Sequence, residues 1–219
     1  LPEGLLNYLA LLGWSIGNDR ELFTLREMAD AFEIERVNPS PAQFDLKKCE
    51  AINGLKIREL SVDDLADRIV PYLHDAGLVG AEPTDAERAL LLAATPLVQE
   101  RMAVLTEAVD MLAFLFVADD AFDVDADEAA KAFGADGLDV VRTTIGALSA
   151  LRPWDTQTIE KELRAALIDG MGLKPRKAFG PVRVAVTGKK ISPPLFESLE
   201  LLGSERTLAR LDAALSYDQ

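Results

Sequence analysis

The chain has 219 residues, 49% of them hydrophobic, so it can bury substantial cores and is not expected to be disordered. Acidic residues outnumber basic ones by 37 to 23, which gives a formal net charge of −14 at pH 7. The only cysteine, Cys49, excludes an intrachain disulfide and fits a reducing, cytoplasmic setting. No apolar run approaches the ~20 residues that a membrane span needs, so no membrane partner is expected.

The first helices are predicted from local spacing. Leu5, Leu9 and Leu12 recur at i, i+4 and i+7, which indicates the buried stripe of a helix over residues 2–12. Thr24 precedes the next helical segment and is followed three residues later by a glutamate, the pattern of a capping box. The beginning of the chain is therefore expected to be helical.

The middle of the chain continues this pattern. A third helix is expected from about Asp45, with the turn-forming pair Asn53–Gly54 able to break it. Ser61 predicts the N-cap of a fourth helix, which Pro71 should end or kink. A fifth helix, capped by a residue of the pair Thr84–Asp85, is expected to end before a proline at position 96.

The clearest periodicity follows that proline. Apolar residues recur at a 4-3-4-3-4 spacing, which predicts one long amphipathic helix. They are Val98, Met102, Leu105, Val109, Leu112 and Phe116. On such a helix Arg101 lies about 60° from the centre of the apolar stripe, on the shoulder of the buried face.

The last third of the chain predicts further helices. Residues 137–150 and 156–169 have helical patterns, and Ser204 is expected to cap a final helix. The stretch PVRVAV, residues 181–186, is compatible with a strand or a helix, and we favour a helix. Because strand signals are scarce, the predicted fold class is all-α, with helices packed as small bundles.

One basic segment interrupts the acidic chain. Residues 170–196 contain six Lys or Arg side chains and no acid, whereas the rest carries 17 basic and 37 acidic residues, a balance of −20. An ordinary solvated loop would explain such a run, but a window of this length without acid in so acidic a chain argues against chance. The acidic residues elsewhere favour solubility.

Three stretches resemble one family, in the same order along the chain. LPEGLLNYLALLGWS, FDLKKCEAINGLKIREL and VRVAVTGKKISPPLFESLELLGSERTLARL are similar to the C-terminal half of bacterial glutamyl-tRNA synthetases. The nucleotide-binding motifs of that family, His-Ile-Gly-His-like and Lys-Met-Ser-Lys-Ser-like, do not occur here. The resemblance implies a piece of a longer chain that starts downstream of the active site. We therefore expect no catalytic residue, metal or cofactor here, with ATP and Mg²⁺ used by the full-length enzyme.

The resemblance also implies a domain organisation and a partner. Residues 1–60 would form a stem-contact region, and 61–117 and 118–219 two helical modules that bind the anticodon. The partner would be tRNA-Glu, with no role in DNA binding, and the protein is expected to be a monomer. The full enzyme would attach glutamate to this tRNA using ATP, while the piece alone would be inactive.

Individual site residues follow from matching positions. By resemblance, the anticodon contacts are Arg101, Arg183, Ser192, Pro193 and Leu195, and the tRNA backbone contacts are Lys189, Lys190, Lys47, Lys48, Lys56 and Arg58. Arg101 occupies the position from which the family reads the third anticodon base, and arginine there is associated with accepting only tRNA-Glu. An arginine is chemically suited because its planar fork of donors pairs with base acceptors and stacks on rings.

Other interpretations remain open at this stage. Arg101 can instead be a boundary arginine whose stem covers the core. An acidic helical adaptor for a protein partner is the alternative function, and a hydrolase would have to use Cys49 or His74. Trp14 is expected in the core, whereas the position of Trp154 is undecided.

Overall fold

A computed structural model describes residues 1–39 and 41–218 of the chain. These residues form twelve α-helices and no strand, so the all-α prediction is confirmed. The helices are α1 (Pro2–Leu11), α2 (Leu25–Ala31), α3 (Leu46–Glu59), α4 (Val62–Asp75), α5 (Asp85–Gln99), α6 (Glu107–Phe116), α7 (Ala126–Ala132), α8 (Ala135–Leu148), α9 (Thr156–Leu163), α10 (Pro175–Thr187), α11 (Leu195–Leu202) and α12 (Ser204–Ala214). A π-helical segment, Arg164–Gly170, continues α9, and 3-10 segments lie at Ile34–Arg36 and Leu215–Asp218. None of the described helices is long and apolar enough to cross a bilayer.

The predicted N-caps of α2, α4 and α5 are present. The hydroxyl of Thr24 accepts a hydrogen bond from the backbone N–H of Glu27 at 3.1 Å, and Thr84 accepts from Glu87 at 3.3 Å. In both cases the glutamate bonds back to the cap, which completes a capping box. Ser61 caps α4 in the simpler way. These caps were predictable because every partner lies within three residues.

The buried face of α1 is not the predicted one. Leu5 and Leu9 are 45% and 43% exposed, whereas Tyr8 is 1% exposed. A Cβ atom on Gly4 would lie 2.9 Å from the Cα of Asn53, so α1 crosses α3 at a glycine. The predicted stripe was wrong because spacing identifies an apolar face without saying which face a neighbour covers.

We therefore expect Leu9→Gln to change the free energy of unfolding by less than about 0.5 kcal/mol, the usual effect at an exposed position. Tyr8→Phe is the matched control on the opposite face. The Tyr8 oxygen accepts a hydrogen bond from the backbone N–H of Asp45 at 2.5 Å, and its loss should cost about 1 kcal/mol. Urea unfolding of both variants measures the difference, and a larger loss for Leu9→Gln would contradict the assigned face.

Helix α3 continues through Asn53–Gly54, so the predicted break is wrong. The side-chain amide of Asn53 donates to the carbonyl oxygen of Ala103 at 2.6 Å. A Cβ atom on Gly54 would lie 3.2 Å from the carbonyl oxygen of Met102. The two residues are thus used for close packing against the segment between α5 and α6, and this tertiary contact outweighs their turn propensity.

Two prolines also lie inside helices. Pro71 lies within α4 and does not end it, and Pro96 lies within α5, which continues to Gln99. Each proline removes only one backbone hydrogen bond, whereas the helix beyond it buries Leu73 in α4 and Val98 in α5. The prediction that α5 ends before Pro96 is therefore wrong.

The long helix predicted over residues 98–116 is divided into α5 and α6. The intervening turn is held by partners distant in sequence, since Arg58 donates from Nη2 to the carbonyl oxygen of Glu100 at 2.8 Å. The carboxylate of Glu107 accepts from the backbone N–H of Ala103 at 2.7 Å, which satisfies a backbone donor in the turn before α6. The apolar stripe itself is largely buried, because both helices turn it toward the same core.

The C-terminal half has the predicted helices. The patterns at 137–150 and 156–169 correspond to α8 and to α9 with its π-helical continuation, and PVRVAV lies in α10. The predicted Ser204 cap is wrong, because α12 begins at Ser204 and its N-cap is Gly203 at φ +83°. Buried residues of α4 to α12 form one continuous core with Ile57 of α3.

Candidate nucleic-acid interface

Arg101 lies in the turn between α5 and α6. Its backbone N–H bonds to the carbonyl oxygen of Val98 at 2.8 Å, and its side chain is exposed. The helical-face argument for Arg101 was therefore wrong in its geometry, because the residue follows the end of α5. In the turn its side chain extends toward α10 and the loop behind it.

The loop after α10 begins at a glycine for a physical reason. Gly188 adopts φ +75°, which favours glycine, and a Cβ atom there would lie 2.9 Å from the carbonyl oxygen of Asp123. The chain then passes through residues 189–194, here called the reading loop, and enters α11 at Leu195. Arg183 lies on α10 one turn before Gly188.

Arg101 and Arg183 meet on this reading loop. Nη1 of Arg101 donates to the carbonyl oxygen of Ser192 at 3.1 Å. Nη1 of Arg183 donates to the Ser192 hydroxyl at 2.5 Å and to the carbonyl oxygen of Pro193 at 2.7 Å. The structure thus brings together two arginines that the sequence separates widely and bonds both of them to Ser192, with Arg183 also bonded to Pro193.

The pair is positively charged and not neutralised by a bonded carboxylate. Burial, and after it the charge of Arg101, lowers the pKa of Arg183, while Glu197 of α11 opposes this effect. In the part of the chain that the structure describes, neither guanidinium forms an ion pair within 4.0 Å. Most N–H donors of the two side chains therefore remain for a ligand with acceptor oxygens or nitrogens.

The apolar and small residues of the predicted site are buried. Within the reading loop Ser192 is 7% exposed and Pro193 is buried, and Leu195 at the start of α11 is 4% exposed, so these residues anchor the loop to the core. Ile191 is 83% exposed and was missed by the sequence analysis. The sequence carries no signal for it, because residue type alone does not tell whether a loop isoleucine is exposed.

The two lysines of the reading loop differ in their partners. Nζ of Lys189 lies 2.6 Å from a carboxylate oxygen of Asp110 on α6. Lys190 is exposed, and no described side chain pairs with it. Lys190 is therefore better placed for a phosphate, whereas Lys189 would first have to leave a surface ion pair of low strength.

The predicted backbone contacts of α3 are mostly engaged within the protein. Lys48 pairs with Glu21 at 2.5 Å, and Arg58 pairs with Glu100 at 3.2 Å. Lys56 is 6% exposed and pairs with Glu59 at 2.8 Å, so a phosphate contact from it would require a rearrangement. Lys47 is exposed and has no partner among the described residues.

The structure also locates the two tryptophans, the cysteine and the histidine that the sequence analysis considered. Trp14 is 6% exposed, as expected for a core residue. Trp154 is half-buried and donates from its indole to the carbonyl oxygen of Leu199 at 3.0 Å. Cys49 is half-buried, and the Nδ1 atom of His74 lies 3.2 Å from the carbonyl oxygen of Val79.

An all-helical chain that presents two unneutralised arginines over an exposed basic loop has the features of an RNA-binding domain. Comparison with known proteins identifies its class, because a family model described as an anticodon binding domain matches residues 64–215. The match extends over more than half of the chain, so the chain belongs to this anticodon-binding domain family.

Individual relatives agree with this class. The chain is 56% identical to the glutamate–tRNA ligase of Saccharopolyspora erythraea and 54% identical to that of a Nocardioides strain, over 98% of its own length in each case. It covers only 42% and 44% of those two proteins, so it spans less than half of the curated relatives it matches. The predicted resemblance to glutamyl-tRNA synthetases is confirmed.

Solved structures support the fold. A crystal structure of a glutamate tRNA ligase from Elizabethkingia meningosepticum, in complex with its amino acid, superimposes with a TM-score of 0.83 at 23% identity. It is matched over 99% of this chain and 41% of that one. The glutamate-tRNA synthetase of Elizabethkingia anophelis gives a TM-score of 0.79.

Proposed function

We propose that this chain binds tRNA-Glu within a glutamate–tRNA ligase and recognises its anticodon at the reading loop. The observation that carries the proposal is the convergence of Arg101 and Arg183 on Ser192 of the reading loop. Family membership supplies the ligand class, since the matching model is an anticodon binding domain.

The arrangement suits single-stranded bases. Unpaired anticodon bases can splay out, so that their edges meet hydrogen-bond donors and their faces pack on flat or apolar groups. The guanidinium of Arg101 is exposed and can read a base edge, while Arg183 is tied at one nitrogen and holds the loop conformation. Ile191 would cover a base, and Lys190 would neutralise a phosphate.

The parent enzyme would use ATP and Mg²⁺ in the part that this chain does not span, and would join glutamate to tRNA-Glu in the cytoplasm. The chain itself would bind tRNA without catalysing the reaction, as a monomer. We retain the division into 1–60, 61–117 and 118–219. The packing of α1 with α3 agrees with the first boundary, while α4 to α12 share one core in which α5 also packs on α11, so the two modules would be joined by a common core.

A binding experiment tests the proposal. The chain is titrated with an anticodon stem-loop of tRNA-Glu and, as a control, with a stem-loop of unrelated anticodon, at two salt concentrations. We expect tighter binding of the first, with an affinity that falls steeply as salt increases, because bound phosphates release counterions. Equal, weak binding of both stem-loops would contradict anticodon recognition. It would favour the alternative function, an acidic helical adaptor for a protein partner.

Arg101 should control which anticodon is accepted. We expect Arg101→Gln in the parent enzyme to reduce the preference for the Glu over the Gln anticodon by about tenfold, since a lost base contact of this kind costs about 1–3 kcal/mol. The measurement is kcat/KM for the two tRNAs, with Arg26→Gln as a control, because Arg26 is exposed on α2. If the preference for the Glu anticodon is unchanged, Arg101 only holds the reading loop and does not read the base.

A further inference from the structure

Two arginines of α12 bind the C-terminal ends of two other helices. Arg206 donates from Nη1 to the carbonyl oxygen of Leu115 and from Nη2 to that of Val117, both at 2.8 Å, where α6 ends. Arg210, one turn further along α12, donates from Nη1 to the carbonyl oxygen of Val186 at 2.7 Å, in the last turn of α10. These carbonyls have no partner within their own helices, so α12 caps α6 and α10 together.

The segment between α6 and α7 closes over this pair. A carboxylate oxygen of Asp119 lies 2.6 Å from Nε of Arg206 and 3.6 Å from Nη2 of Arg210, the second distance being too long for a hydrogen bond. The guanidinium carbon of Arg210 lies 3.6 Å from the centre of the Phe122 ring. We call Arg206, Arg210, Asp119 and Phe122 the α12 latch.

The α12 latch contains a buried arginine with donors left unbonded by the described residues, which costs free energy of folding. Arg210 is 5% exposed, and its Nε and Nη2 atoms have no hydrogen-bond partner among the described residues. Its burial lowers the pKa of Arg210 to about 10. An apolar side chain of similar size is often neutral or stabilising at such a position, so stability alone does not account for a buried arginine here.

The latch joins α10, which carries Arg183, to α6, the helix that follows the Arg101 turn. Arg183 lies one turn before Val186 on α10. The ion pair between Asp110 and Lys189 is a second, exposed tie between α6 and the reading loop. The α10 contact lies at the same end of that helix as Arg183, whereas the α6 contacts lie at the end opposite Arg101. A change at either contact would therefore alter the separation of Arg101 and Arg183.

We propose that Arg206 and Arg210 are positioning residues for anticodon recognition, which act by holding α6 against α10. The inference rests on the proposed function, because the arginines they position must read an anticodon. Arg206 and Arg210 make no ligand contact themselves in this account. Their loss should reduce discrimination between anticodons more than it reduces the stability of the fold.

The test compares Arg210→Met with Arg210→Lys and with Arg142→Met, an exposed arginine of α8 that pairs with Asp139. For each variant, the unfolding temperature is measured with the dissociation constants of the tRNA-Glu anticodon stem-loop and of a loop with one anticodon base replaced. We expect Arg210→Met to lose about tenfold in discrimination, while its unfolding temperature falls by only about 2–4 °C because the Val186 carbonyl loses its donor. Arg210→Lys should recover part of the discrimination, because an ammonium can still donate to the Val186 carbonyl.

Each outcome separates the two proposals. A wild-type chain that does not discriminate the two loops overturns the proposed function and this inference with it. If the wild type discriminates and Arg210→Met does so equally well, only the inference about the α12 latch fails. Should Arg210→Met not fold, Arg206→Gln decides the matter, because Arg206 is 27% exposed and its loss leaves no cavity in the core.

Discussion

Arg183→Ala is expected to weaken binding of tRNA-Glu by about ten- to a hundredfold. The change removes the hydrogen bonds that fix Ser192 and Pro193, so that the reading loop loses its conformation as well as a positive charge. A contact of this type is worth about 1–3 kcal/mol, and ordering the loop adds to it. Fluorescence anisotropy with a labelled anticodon stem-loop measures the effect.

Arg176→Ala is the matched control for this prediction. Arg176 lies on the same helix, α10, and is exposed, so its loss removes the same charge without changing the loop. It should weaken binding less than about threefold, as one distant charge does in salt. Equal losses in the two variants would mean that the segment acts only through its net charge.

Gly137→Ala is expected to destabilise the fold by about 3 kcal/mol, at the upper end of overpacking effects. A Cβ atom at this position would lie 1.8 Å from the carbonyl oxygen of Ala132 and 2.9 Å from its carbonyl carbon. Both are backbone atoms at the junction of α7 and α8, which cannot rotate away as a side chain would. The unfolding temperature should fall by about 6–12 °C in a chain of this size.

Gly146→Ala is the control in the same helix. No heavy atom lies within 4 Å of a Cβ placed on Gly146, so the alanine meets open space. Because alanine has the higher helix propensity, the variant should gain about 0.5–1 kcal/mol. Circular dichroism of both variants during heating tests the pair, and an unchanged unfolding temperature for Gly137→Ala would contradict the packing of α7 against α8.

Local signals were predictable because both partners lie close in sequence. The caps at Thr24 and Thr84 each need a hydroxyl and a glutamate three residues later, and both are formed. The helical interpretation of PVRVAV was also right, since Pro175 can begin α10 and Gly188 can end it. Such features depend on backbone geometry that is the same in any fold.

Element ends set by distant residues were not predictable. The apolar stripe from Val98 to Phe116 is compatible with one helix as well as with two. The side chains that bond to the intervening turn include Asn53, Arg58 and Glu107, and periodicity does not reveal such contacts. The same applies to α1, whose leucine stripe is as apolar as a buried face. Periodicity does not indicate which face of a helix another element of the fold will cover.

The sequence named residues for the candidate site, and their contacts with tRNA stay a prediction, but it did not indicate the geometry of the site. Resemblance named Arg101 and Arg183, but no pattern in the chain indicates that both side chains bond to Ser192. The lysines gave weaker predictions, because ion pairs such as Lys56 with Glu59 depend on the fold. Ile191 was overlooked because exposure, rather than residue type, distinguishes it.

The most direct test of anticodon recognition is a photocrosslink from the anticodon itself. A tRNA-Glu with a photoreactive base at the third anticodon position is bound to the chain, irradiated, and the attached peptides are identified. The account predicts crosslinks in the turn that contains Arg101 and in the reading loop, residues 189–194. Crosslinks confined to residues 1–60, or distributed over the acidic surface, would contradict it.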